Sequence, residues 1–175
     1  MAHEGTDRFG ILSWAFEKKN KMLLADLKPS YDEDVIYPVS INNIKEMWGF
    51  AECEHPGIQR LGCMLFEKMG KKLDTVTQYE HVIYENSHLC RPHVFDHYVR
   101  EWLNPVLDIL LRKDDREFTR LLHEDSKYMP HKRPYNKIEL FGVPYYPFHA
   151  FLCERLFSAF LHENPQYTVL GLKNS

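Results

Sequence analysis

The sequence lacks the features that mark several large classes of protein. No apolar run approaches the ~18 residues that a membrane-spanning helix needs, so we expect no membrane span. The first residues show no basic region followed by an apolar stretch, so we expect no cleaved secretory signal. The 8 glycines form no GxGxxG, Walker or GxSxG loop, so the sequence gives no support to the enzyme classes that use these loops.

Neither basic residues nor cysteines are in excess. The 22 basic and 25 acidic residues give a formal net charge of −3. A duplex-binding protein usually shows a basic face, so we expect no nucleic-acid partner. The four cysteines, at positions 53, 63, 90 and 153, contain no C-x-x-C pair. They lie in or near apolar segments, which predicts reduced, structural thiols and a cytoplasmic protein, with two disulfides as the alternative.

The residues that are abundant predict a folded α/β protein. Hydrophobic residues make up 44% of the chain, and the 11 Phe, 10 Tyr and 3 Trp exclude intrinsic disorder. The length of 175 residues predicts a single domain over residues 1–175. Segments typical of strands alternate with segments typical of helices, which favours an α/β layer architecture.

The hydrophobic pattern gives the expected positions of these elements. Strands are predicted at 10–16, 35–37 and 167–172, and helices at 18–27, 56–69, 92–110 and 147–162. Pro105 should kink the long helix at 92–110, or restart it with Asn104 as its cap. Residues 124–146 show no periodicity and predict a long loop, a kind of segment that is often functional or disordered.

A group of acidic residues and one histidine precedes the predicted helix at 56–69. Glu54 and His55, together with Glu52, are residue types that serve as a general base at a rigid loop edge. The structural alternative is that Glu54 or His55 caps this helix and complements its dipole. The residues alone favour neither interpretation.

Polar residues also interrupt the β-rich segment at 81–90. Asn86 and His88 are two residues apart, which predicts that they share one face of a strand. At a strand end, where α/β sheets often bind ligands, these side chains would bond to sugar hydroxyls. The alternative is that they satisfy nearby backbone groups.

The last predicted helix is apolar apart from a few residues, and Glu154 and Arg155 are its charged pair. Removing such a charge from water costs several kcal/mol, so each needs a partner. Adjacent helical residues point in different directions, so we do not expect the two to neutralise each other. Each either holds another element in place or lines a polar cleft, and the residues alone leave both interpretations open.

Two patterns resemble metal sites, but the structural interpretation is favoured for both. His93 and His97 have the spacing of ligands on a helix, but no third ligand is fixed by the sequence. Residues 32–34 read Asp-Glu-Asp, but they precede the strand at 35–37, whereas a nucleotide-binding D-x-D follows a strand. We therefore assign no metal ligand.

A basic loop contains Lys132 and Arg133 within a stretch that has no Asp or Glu between residues 126 and 138. Lysine and arginine on such a loop suit phosphate groups. A solvated connection is the alternative.

Five segments occur along the chain in the order F-G-I-L-S-W-A-F, D-V-I-Y-P, E-H-P-G, Y-E-N-S-H-L-C-R-P-H-V-F-D-H-Y and F-L-C-E-R-L-F-S-A-F-L. In this order they resemble the later part of a bacterial and viral glycosyltransferase-like family of capsular polysaccharide and surface-glycan synthesis. The resemblance covers about residues 8–163. Its most specific pieces are the E-R-L-F helix and the segment before the helix that begins at Pro92.

The resemblance implies a GT-A-like α/β fold, a sheet flanked by helices that binds a nucleotide-diphospho-sugar. Only nine residues precede the first predicted strand, so the usual N-terminal nucleotide-binding strands are expected to be missing. A partner chain or an oligomer would then complete the donor site. The implied reaction transfers a sugar from a nucleotide sugar to a hydroxyl of a glycan acceptor, and the cofactor stays open, with Mn²⁺ or Mg²⁺ as candidates.

Resemblance and residue patterns together give the predicted site. The catalytic candidates are Glu54, His55 and Glu154, and the E-R pair of the resemblance implies that Glu154 faces a polar cleft. The substrate-binding candidates are Trp14, Asn86, His88, Arg155, Lys132 and Arg133. Glu54 is the expected base for the acceptor hydroxyl, and Arg155 with the basic loop is expected to stabilise the leaving diphosphate.

Two other functions remain as alternatives. A non-catalytic binding module derived from the same fold would recognise a protein, a glycan or a nucleotide through its aromatic surface. An unrelated metal-dependent hydrolase would use His93 and His97.

Overall fold

The sheet is built from short strands that lie far apart in the sequence. The computed structural model describes residues 8–12, 16–23, 27, 31–39, 44–128, 138–139 and 142–173. Within these residues the sheet has four strands, β1 (Phe9–Ile11), β2 (Val35–Pro38), β3 (His88–Cys90) and β4 (Val169–Leu172). Their order is β1-β3-β2-β4; β3 is antiparallel to β1 and β2, whereas β2 and β4 are parallel. The protein is therefore mixed α/β, with helices flanking a mixed sheet.

The described helices are α1 (Phe16–Asn20), α2 (Met47–Glu54), α3 (Ile58–Lys68), α4 (Pro92–Tyr98), α5 (Asn104–Leu111), α6 (Arg116–Leu122) and α7 (His149–Glu163). A π-helical stretch, Val99–Leu103, separates α4 from α5. Pro105 has no N–H to donate to the carbonyl four residues earlier, and a wider helical turn accommodates such a residue. The helix expected to kink or restart at Pro105 thus changes from α-helical to π-helical geometry just before this residue. None of the described helices is long and apolar enough to cross a membrane.

Contacts divide the chain into two units. The first takes its residues from Met1–Lys45, Tyr79–Leu103 and Glu154–Ser175, and the second from Glu46–Gln78 and Asn104–Cys153. Each unit combines segments that are far apart in the sequence. The expectation of one domain over residues 1–175 stays a prediction.

In the first unit, β2 is the buried centre of the sheet. All four of its residues are buried, because β3 and β4 pair with its two edges. Ile36 belongs to an apolar cluster with Phe16, Met22 and Leu27. The short strand predicted at 35–37 is confirmed and, as expected, ends at Pro38.

The first strand differs from its prediction. A buried strand was expected at 10–16, but β1 ends at Ile11 and Phe16 begins α1. All three residues of β1 are exposed, since this strand pairs only with β3 and forms an edge of the sheet. The helix predicted at 18–27 begins earlier and ends at Asn20, where Lys21 takes a positive φ of 50° that an α-helix does not allow.

In the second unit, α3 buries one face, as its periodicity predicts. Gly62 lies on this face, and a Cβ atom there would be 2.6 Å from Cζ3 of Trp48. Glycine is therefore required for the close approach of Trp48 to the helix. Gly70 follows the helix with a φ of +71°, the left-handed conformation that glycine adopts at helix C-termini.

The four cysteines are free thiols. Burial raises the pKa of Cys90 to about 12 and that of Cys153 to about 11, so both thiols stay protonated and unreactive near neutral pH. Cys53 and Cys63 are exposed. For these two, the expected structural role is not seen, because each side chain lies on the solvent side of its helix.

Candidate functional site

In the first unit, the segment at residues 83–88 packs against α7. The backbone N–H of Ile83 donates a hydrogen bond to Oγ of Ser158 at 2.8 Å. The imidazole of His88 stacks on the ring of Phe157 with centroids 3.6 Å apart and an interplanar angle of 9°. This packing brings together the two pieces of sequence that are most specific for the glycosyltransferase-like resemblance.

A polar cluster of Tyr84, Glu154 and Arg155 lies at this junction. Nη1 of Arg155 is 3.3 Å from Oε2 of Glu154, and the two side chains are 5% and 23% exposed. Burial lowers the pKa of Arg155, and Glu154 and Tyr84 oppose this shift. Burial raises the pKa of Tyr84, which Arg155 lowers and Glu154 raises further. The three groups therefore interact electrostatically in a partly desolvated place.

The expectation that Glu154 and Arg155 do not neutralise each other is wrong. Their Cβ atoms do point in different directions, but the long, rotatable stem of arginine lets its guanidinium reach back to the neighbouring carboxylate. The catalytic assignment of Glu154 and the substrate-binding assignment of Arg155 stay predictions.

Asn86 and His88 do not share a strand face. Asn86 ends a 3-10 turn, Tyr84–Asn86, with a φ of 52°, and the strand begins only at His88. Asparagine tolerates this left-handed conformation better than most residues, so the turn itself explains the residue type. The substrate-binding assignment of both residues stays a prediction.

The environment of His88 strongly disfavours its protonated form. Its side chain is enclosed, and neither ring nitrogen makes a hydrogen bond of normal geometry within the described residues. Burial lowers the pKa of His88 from 6.5 to about 3, and the backbone of Asn86 offsets part of the shift. The imidazole is therefore neutral at pH 7 and packs as an aromatic ring between Phe157 and Tyr98.

In the second unit, Glu52 caps α3. Its Oε1 accepts a hydrogen bond from the backbone N–H of Gly57 at 2.7 Å, and its Oε2 accepts one from Gln59 at 2.9 Å. These N–H groups belong to the first turn, where a carboxylate also interacts favourably with the helix dipole. A side chain of this segment does cap the helix, as the structural alternative predicts, but the capping side chain is Glu52 rather than Glu54 or His55.

Glu54 and His55 have different environments in the second unit. Glu54 is the last residue of α2 and is half-buried. His55 is 3% exposed, and its ring stacks on Phe151 with centroids 3.8 Å apart. The half-buried carboxylate of Glu54 has access to solvent that the imidazole of His55 lacks.

We expect Glu52→Ala to lower the free energy of unfolding by about 1 kcal/mol, because two N–H groups of the α3 N-terminus lose their acceptor. Glu54→Ala is the matched control, since it removes a carboxylate two residues away, and it should change stability by less than about 0.5 kcal/mol. Urea titration of both variants measures the difference. Equal losses would contradict the assignment of the cap to Glu52.

Three predicted substrate-binding residues, Trp14, Lys132 and Arg133, lie outside the described residues. Their assignments stay predictions on the sequence alone.

The histidine pair of α4 takes part in polar contacts within the first unit. Nδ1 of His97 is 2.7 Å from Oη of Tyr167, and Nε2 of His93 is 3.6 Å from Oδ1 of Asp34. Oδ2 of Asp34 accepts hydrogen bonds from the backbone and hydroxyl of Thr168, just before β4. Within the described part of the chain, no group of three or more His, Cys, Asp or Glu residues could hold a metal ion.

A cleft of about 470 Å³ in the first unit contains groups that the sequence did not single out. Its polar lining is Glu80, His81, His162 and Tyr167, and its apolar lining includes Leu161 and Val169. The polar residues come from two segments about 80 positions apart, with no motif spacing between them. Only the packing of residues 79–83 against α7 brings them together.

Comparison with known proteins adds no assignment to these sites. The chain matches no family model, no curated protein and no solved structure. The resemblance to glycosyltransferase-like proteins therefore rests on the quoted segments.

Proposed function

We propose that this protein is a glycosyltransferase-like protein of the GT-A kind, which transfers a sugar from a nucleotide-sugar donor to a glycan hydroxyl. The observation that supports the proposal most is the packing of residues 83–88 against α7. The two segments most specific for the resemblance thereby both contribute to one polar cluster, Tyr84, Glu154 and Arg155. A guanidinium beside a carboxylate and a phenol is suited to phosphate and sugar hydroxyl groups.

In this proposal different residues stabilise the leaving group and deprotonate the acceptor. In the first unit, Arg155 neutralises the diphosphate that leaves the donor, and Glu154 orients Arg155 through their 3.3 Å contact. Lys132 and Arg133 are assigned to the phosphate groups on the sequence alone. Glu54 accepts the proton of the acceptor hydroxyl, since it is a half-buried carboxylate with solvent access.

A non-catalytic binding module is the second candidate. It is favoured by His55 and His88, which are 3% and 1% exposed and stack on phenylalanine rings. Imidazoles held in this way serve packing rather than proton transfer. In this alternative the polar cluster would bind a nucleotide or a glycan without reaction.

The first experiment is a thermal-shift screen of uridine, guanosine, cytidine and thymidine nucleotide sugars, with and without Mn²⁺. A ligand that binds only the folded state raises Tm by mass action, and we expect this for at least one donor. Release of the nucleotide in the presence of glycan acceptors, reduced about 10²-fold or more in Glu54→Gln, would support transfer. Binding without release would favour the binding module, and no binding to any donor would contradict the proposed function.

We expect the double variant Lys132→Ala/Arg133→Ala to bind the active nucleotide sugar at least about tenfold more weakly, a loss of about 1.4 kcal/mol. Its Tm should change little, since the sequence predicts that the pair lies on a loop, where substitutions have small effects. The matched control is Arg112→Ala/Lys113→Ala, an adjacent exposed pair. Calorimetric titration compares the two, and equal affinities would remove the basic loop from the donor site.

A further inference from the structure

Contacts with neighbouring residues hold most of the polar side chains that line the cleft of the first unit in place. The ring of His81 lies edge-on to Tyr37, and its Nδ1 is 3.5 Å from the Tyr37 hydroxyl. The hydroxyl of Tyr167 is fixed by its 2.7 Å contact with Nδ1 of His97. The ring of His162 packs on Tyr79 with centroids 4.8 Å apart. Three of the four polar lining groups are thus held in place by neighbours.

The charge of the lining excludes some ligands. Among the described lining residues there is a carboxylate, two imidazoles and a phenol, and no lysine or arginine. Burial lowers the pKa of His81, and Lys45 adds to this, against the opposing effect of Glu80. His81 is therefore neutral at pH 7, and the single carboxylate of Glu80 would repel a phosphate. The cleft is unsuited to an anionic ligand.

The remaining chemistry suits a neutral ligand with several hydroxyl groups. A neutral imidazole both donates and accepts hydrogen bonds, and a carboxylate accepts two or more. Leu161, Val169 and the ring of Tyr167 add apolar surface against which the C–H faces of a sugar pack. The volume of about 470 Å³ is of the size that small-molecule pockets usually have.

We propose that this cleft binds a neutral saccharide, with Glu80 and His81 forming hydrogen bonds to its hydroxyl groups. This inference does not rest on the proposed function.

The test is a titration of the full chain with methyl glycosides of glucose, galactose, mannose and N-acetylglucosamine, without any nucleotide. The imidazole NMR signals of His81 and His162 report on the cleft. We expect at least one glycoside to shift both signals while leaving the signal of His123, an exposed histidine of the second unit, unchanged. Glu80→Gln and His81→Gln should each weaken this binding about tenfold. The carboxylate of Glu80 is 84% exposed, so its variant keeps the fold.

The controls are Glu101→Gln and His123→Gln, which alter exposed residues that do not line the cleft and should bind as the parent does. The inference is overturned if none of the four glycosides shifts the two histidine signals. It is also overturned if a cation such as choline shifts these signals and the glycosides do not. Saccharide binding in a protein that binds no nucleotide sugar supports the cleft and refutes the proposed function. Donor binding without saccharide binding refutes only the cleft.

Discussion

Lowering the pH from 7 to 4 is expected to destabilise the parent protein by about 3 kcal/mol more than the His88→Phe variant. The pKa of His88 is about 3 in the folded state and near 6.5 in the unfolded state. Between these values the unfolded chain binds the extra proton, so stability is fully present above about pH 6.5 and is lost as the pH falls toward 3. Phenylalanine keeps an aromatic ring against Phe157 and cannot titrate.

Chemical denaturation of the two proteins across this pH range measures the effect of His88. The carboxylates titrate in both proteins, so their contribution cancels in the difference. At pH 7 the variant should be at least as stable as the parent, because it removes two buried ring nitrogens that lack normal hydrogen bonds among the described residues. His93→Phe, at a side chain that is 59% exposed, is the control and should follow the parent. Parallel pH profiles of parent and His88→Phe would show that His88 is not buried as described.

The second large effect is expected from Glu154→Gln, which should lower the free energy of unfolding by about 3 kcal/mol. The substitution removes the carboxylate that faces a guanidinium only 5% exposed, and breaking one side of a buried pair typically costs about 3–5 kcal/mol. The 23% exposure of Glu154 places the expected value at the lower end of that range. The sequence alone predicted a cleft-facing Glu154 and little effect on stability, so the two expectations are separable.

The double variant Glu154→Gln/Arg155→Met supplies the control. Methionine keeps the length and packing of the arginine stem without its charge, so the double variant should recover much of the stability that Glu154→Gln loses. Thermal and urea unfolding of the single and double variants give the coupling energy. If Glu154→Gln instead melts with the parent while binding of a nucleotide sugar falls, Glu154 acts in a cleft as the sequence predicted.

The sequence by itself determined the elements whose signals are local. The buried strand at 35–38 follows from three β-formers that end at a proline, and α3 follows from a helical apolar period that ends at Gly70. The apolar α7 and the strand β4 near the C-terminus were predictable in the same way. Hydrophobic period, proline and glycine act over a few residues, so a single sequence is enough to show them.

Only the tertiary structure decided the pairing of elements and the composition of the sites. Asp34 bonds to Thr168 across 134 positions, and this contact accompanies the parallel pairing of β2 with β4. The ion pair of Arg155 with Glu154 depended on a rotamer, and the capping role of Glu52 depended on a backbone turn at Gly57. The cleft needed residues 79–83 to pack against α7. Such contacts depend on side-chain geometry and on which distant segments pair with each other. Local sequence patterns do not encode either of these.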